Sequence, residues 1–133
     1  MEADPRLAIG VAKELVETTC RTILRVRGAE ADRASEIMEL LKATLDRLDL
    51  VASDVPDARK GADTNRTTLR TLTTTVKSIA ELRNAYGSGH GPEGRSKSLG
   101  PRHARLAVGA ASTVATFLFE THLESGKKVE ASN

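Results

Sequence analysis

Aromatic side chains are almost missing from this sequence: there is no tryptophan, one tyrosine and two phenylalanines. A core must therefore be assembled from Leu, Ile, Val and Ala. That composition suits helices packed closely together, and Ala and Leu also have favourable helix propensity. Cysteine is equally scarce. Cys20 stands alone, which excludes an intramolecular disulfide. It sits in VETTCRTIL on the apolar side of an expected helix and reads as a buried small hydrophobe. A catalytic thiol wants a cationic, partly exposed setting, and nothing nearby supplies one. The histidines are few and scattered, at positions 90, 103 and 122, and no H-E-x-x-H pattern occurs. A metal site needs three or four ligands, so neither a metal nor a cofactor is expected. GSGHGPEG lacks the closing Gly-Lys-Ser/Thr of a phosphate loop, and no nucleophile elbow is present. Long apolar runs are absent too. The longest, Leu106 to Phe119, falls short of the about 20 residues an ordinary membrane span needs. The opening MEADPRLAIG starts acidic and has no apolar signal region. The expectation is a soluble, cytoplasmic chain without membrane contact.

What is present is helical periodicity. A chain of 133 residues is most simply one domain and can bury a core without disulfides or metal. The expected domain covers 1–126, with 127–133 as a frayed tail. Ile9, Ala12, Val16, Cys20 and Ile23 recur at three- or four-residue spacing, predicting a first helix over Asp4 to Arg27, with Asp4 as cap, Pro5 at the first position and Gly28 as stop. Ile37, Leu41, Leu45 and Leu48 mark a second helix within Arg33 to Val51, with Ser35 as its cap. VASDVPDARKGADTN reads as a loop by composition. Leu69, Leu72, Val76, Ile79 and Leu82 follow a period near 3.6, which predicts a third helix over Arg66 to Tyr86 despite its threonines. A long Gly-rich basic loop follows, Gly87 to Pro101, and a fourth helix is expected from about Arg102 to Ser125. Short connections favour an all-α, antiparallel four-helix bundle.

Charge is unevenly spread along this pattern. Residues 1–58 carry 8 Lys/Arg against 12 Asp/Glu, residues 59–105 carry 10 against 3, and residues 106–133 carry 2 against 3. Concentrated positive charge attracts polyanions, although such charges also simply solvate a helix face. The basic segment contains ELRNAYGSGHG. Arg83 falls in the last turn of the third helix, where its planar fork of donors matches a phosphate. His90 titrates near neutrality and can give or take a proton. The glycines around it let backbone approach a phosphate. Together these groups supply what RNA strand cleavage needs. A base takes the 2′-hydroxyl proton, a cation stabilises the phosphorane and an acid protonates the departing 5′-oxygen. Arg95, Lys97, Arg102, His103 and Arg105 follow, and Arg102 and His103 fall at a helix start, where anions are favoured. Structural readings stand beside these: Arg83 paired with Glu17, His90 capping a turn, and Arg102 and Arg105 as solvated surface. His122 reads as a structural cation complementing the dipole at the end of the fourth helix.

ELRNAYGSGHG, followed by HARLAVGAASTVATFLFET and preceded by AIGVAKELVETTCRTIL, resembles the abortive infection C-terminal family, part of the wider HEPN superfamily of small helical domains. The resemblance spans roughly residues 7 to 124 and is least specific over Ala29 to Asn65. The superfamily signature is an Arg, usually followed by a polar residue, with a His four to six residues beyond. Here Arg83 precedes Asn84, and six residues separate Arg83 from His90. The resemblance implies a metal-independent endoribonuclease of an abortive-infection, phage-defence or toxin–antitoxin system. It implies that Arg83 and His90 carry catalysis and that Asn84 positions them; Arg95, Lys97, Arg102, His103 and Arg105 are expected, from their charge and their place beside this motif, to hold flanking phosphates. It also implies a homodimer with a composite site, and an antitoxin or N-terminal sensor as partner. In that family the module usually follows a larger N-terminal region, so the chain is expected to be a stand-alone relative or a fragment. The alternative is a non-catalytic RNA- or protein-binding module on the same fold.

Overall fold

The computed structural model describes residues 4–48, 56–86 and 99–132, and all regular structure among them is helical. The four helices are α1 (Pro5–Val26), α2 (Ile37–Arg47), α3 (Pro56–Tyr86) and α4 (Pro101–Ser132).

The start and stop of α1 follow directly from its sequence. Asp4 accepts the amide of Arg6 at 3.0 Å, and Pro5 occupies the first helical position, where its missing N–H costs nothing. At the other end Gly28 takes φ +78°. Its amide reaches the Arg25 carbonyl at 3.0 Å, and the Ala29 amide reaches that of Leu24 at 2.8 Å. This is the Schellman closure that glycine makes without a Cβ penalty. The predicted stripe Ile9, Ala12, Val16, Cys20 and Ile23 is buried.

Helix α2 is capped at Glu36 rather than at Ser35, because the Glu39 carboxylate reaches back to accept the Glu36 amide at 3.1 Å. The Ser35 carbonyl is taken instead by Arg21, which also holds the carbonyls of Asp32 and Arg33, each at 3.2 Å. The loop expected before the third helix is shorter than its composition implied. Residues from Pro56 onward are already helical, so α3 spans 31 residues. Proline is tolerated in a first turn, and Gly61 lies on an exposed stretch where nothing comes within 4 Å of its missing Cβ. Helix α4 likewise runs on past the expected end at Ser125 to Ser132.

The polarity of the helices departs from simple up-and-down alternation. Arg66 in α3 bonds Asp46 near the end of α2 at 2.6 Å, and Thr74 faces Met38 near its start, so α3 runs against α2. Arg83, ending α3, lies over Gly10 at the start of α1. Arg27, closing α1, donates to His122 of α4 and to the carbonyl of Arg47 at the end of α2, each at 3.0 Å. Helices α1, α2 and α4 therefore finish at one pole, and α3 opposes them. The connection between α1 and α2 is long enough to return the chain along α1, and Arg21 staples it there.

The most extensive packing is α1 on α4. Ala107, Ala111, Val114 and Leu118 are buried, the alanines letting the two backbones approach closely. Within Pro101–Ser125 an 18-residue window reaches a mean hydropathy of 1.3, so by length and composition alone this helix is long and apolar enough to cross a membrane. A core helix passes the same test, and this one supplies a wall of the core.

Candidate functional site

The pole opposite Arg27 gathers the start of α1, the end of α3 and the start of α4. Ile79 of α3 and Leu106 of α4 line one surface groove. One turn further along each helix toward the connecting segment come Arg83 and His103. Arg83 is half-buried and Asn84 exposed. The Arg83 Nη2 donates to Asn84 Oδ1 at 3.1 Å, so the asparagine orients the guanidinium directly. Beneath it lies α1, whose Gly10 leaves room for Nη1.

The expected rival partner, Glu17, pairs with Lys13 at 3.9 Å instead. Among the described residues Arg83 has no carboxylate partner, which leaves its remaining donors for an incoming anion. Glu17, Lys13, Lys77, Glu81 and Asn84 line a mixed-charge groove beside this point, with Lys77 and Glu81 paired at 3.1 Å.

At the start of α4, Arg102 and Arg105 are exposed. His103 is half-buried, and its Nδ1 accepts the Gly100 amide at 3.0 Å. That bond caps the helix start, so His103 has a structural task that the sequence did not announce. His90, Arg95 and Lys97 lie outside the described residues.

Two other residues are settled by the geometry. Cys20 is buried, and burial pushes its thiol up to about 11, which makes it an inert core group. His122 is structural, but not as a cation at a helix end. It lies within α4, accepts from Arg27 Nε, and is held below the ordinary histidine range by burial first and by the Arg27 charge second. No cluster of His, Cys, Asp and Glu able to hold a metal occurs among the described residues.

This helical arrangement, with an Arg-Asn pair closing the third helix, can be compared with known families. Residues 1–122 match the profile of Abi_C, a HEPN-like domain. The chain belongs to the Abi_C family. Membership makes it a module related to phage defence. No curated protein and no solved structure matches it. Within this Abi_C domain, sequence reasoning missed Gly10, Arg21 and Arg27. Gly10 was detectable only as a glycine placed mid-helix without need of a turn.

Proposed function

We propose that this Abi_C domain is a metal-independent endoribonuclease of an abortive-infection or toxin–antitoxin system, cleaving RNA through attack of the 2′-hydroxyl. The observation that carries the reading is Arg83, oriented by Asn84 and without a carboxylate partner among the described residues, at the pole that also bears exposed Arg102 and Arg105. Arg83 binds the scissile phosphate and stabilises charge on the phosphorane. His90 moves the proton, as base or acid. Arg102 and Arg105, with Arg95 and Lys97, hold flanking phosphates by charge, with His103 beside them.

One His90 per chain leaves one proton-transfer role unfilled, and a second copy supplies it. The homodimer is supported by large apolar side chains that lie exposed among the described residues. Leu7, Val11 and Leu15 are 67%, 54% and 39% exposed along one line of α1, and Val108, Phe119 and Leu123 are exposed on α4, the helix it packs against. An antitoxin or sensor protein remains a proposed further partner.

The test is cleavage of single-stranded RNA by the purified chain in the presence of EDTA, with His90→Ala and Arg83→Ala alongside. Expected are 2′,3′-cyclic phosphate ends and a loss of about 100-fold or more in each variant, the range for general acid–base and electrostatic groups. Salt-sensitive RNA binding without any cleavage returns the domain to the class of non-catalytic binding modules.

A further inference from the structure

We infer that Gly10 is a positioning residue for Arg83: its missing side chain is the seat in which the guanidinium rests. The inference rests on the nuclease reading for its effect on rate, though not for the contact itself. A Cβ placed at Gly10 would stand 2.5 Å from Arg83 Nη1 and 3.7 Å from Cζ. The first distance is far inside van der Waals contact, so any larger residue must push the guanidinium aside.

Backbone geometry does not require glycine at this position. It lies inside α1, where glycine is the poorest helix former after proline. It has no left-handed backbone; Gly28 is the glycine with positive φ among the described residues. Gly61, also within a helix, has open space within 4 Å of where a Cβ would stand. Gly10, half-buried where the helical Gly61 and Gly109 are exposed with open space around them, has the Arg83 guanidinium crossing over it.

The seat works with Asn84. Nη2 is held by Asn84 Oδ1 at 3.1 Å, while Nη1 rests against α1. Two constraints on opposite nitrogens fix the plane of the fork. Arg83 is the far end of a flexible side chain, so a methyl at position 10 displaces it without disturbing the core. A displacement of about 1 Å in a positioned group costs on the order of 100-fold in rate.

The experiment compares wild type, Gly10→Ala and Gly61→Ala, each alone and on an Arg83→Lys background, in the full chain. Three quantities are read: kcat for RNA cleavage, the thermal midpoint, and the Arg83 Nε–H resonance in side-chain nitrogen NMR. Gly10→Ala is expected to lower kcat at least tenfold with KM little changed, to hold or raise the midpoint as Gly61→Ala does, and to shift the Arg83 resonance, which Gly61→Ala leaves in place. Lysine lacks the fork that needs the gap, so Gly10→Ala should cost nothing further in the Arg83→Lys chain. A Gly10→Ala chain with wild-type kcat and an unmoved Arg83 resonance overturns the proposal. So does a midpoint that falls equally in both backgrounds, because the clash then lies elsewhere. If wild type cleaves no RNA, the nuclease reading is what fails, and the resonance alone decides whether Gly10 seats Arg83.

Discussion

The contact between Arg27 and His122 joins residues 95 positions apart and makes a histidine matter for stability rather than chemistry. Its Nδ1 accepts from a guanidinium, which only the neutral ring can do. Burial, then the Arg27 charge, lowers its pKa from the ordinary value of about 6.5. The unfolded chain therefore takes up the proton more readily than the folded one. The stabilising contribution is complete above the unfolded value and is lost as pH falls through the folded one. The thermal midpoint should thus decline on acidification below about pH 6.5, and His122→Gln, which keeps an acceptor but cannot titrate, should flatten that part of the curve. An unchanged slope in the variant would place the acid sensitivity on another group. Arg83 contrasts with this pair. It is tied to Asn84 alone among the described residues, so its removal should leave the midpoint almost where it was.

Helix α3 shows how one element reconciles poor helix formers with a long span. Thr64, Thr68, Thr71 and Thr75 each return their hydroxyl to the carbonyl four residues earlier, at 2.9, 2.9, 2.8 and 3.1 Å. Such bonds satisfy the side chain but compete slightly with the helix. Thr73 is different. It is fully buried, and its hydroxyl has no hydrogen-bond partner among the described residues. An unpaired buried hydroxyl costs about 1–3 kcal/mol, and valine has the same shape without it. Thr73→Val should raise the unfolding free energy by about 1 kcal/mol in urea titration. A loss of stability would mean that the hydroxyl has a partner after all. The period of Leu69, Leu72, Val76, Ile79 and Leu82 was readable because buried positions must recur every three or four residues. The start of the helix was not, because Pro56 and Gly61 signal a turn equally well in isolation.

At the scale of the whole molecule the apolar line Leu7, Val11 and Leu15 on α1, with Val108, Phe119 and Leu123 on α4, is the surface that a dimer would cover. Light scattering should report two chains per particle for wild type and one for Val11→Glu, with cleavage lost in step. A wild-type particle that cleaves RNA as a single chain sinks the composite site. The direction of the helices also belongs to this scale. Three run together and one opposes, an arrangement set by Arg21 stapling the first connection and Arg27 bridging α2 and α4.

The sequence by itself determined what short-range physics controls. Periodicity placed the buried faces of three helices, Asp4, Pro5 and Gly28 set the limits of α1, and the Arg83–Asn84 pair marked the candidate site through its chemistry and its family resemblance. Only the tertiary structure decided which groups meet across long separations. It seated Arg83 on Gly10, freed it from Glu17, turned His103 to cap its own helix, and made His122 a neutral acceptor for Arg27. Local propensity acts over a turn or two of chain, whereas the freedom of a guanidinium to meet a phosphate depends on every helix packed around it.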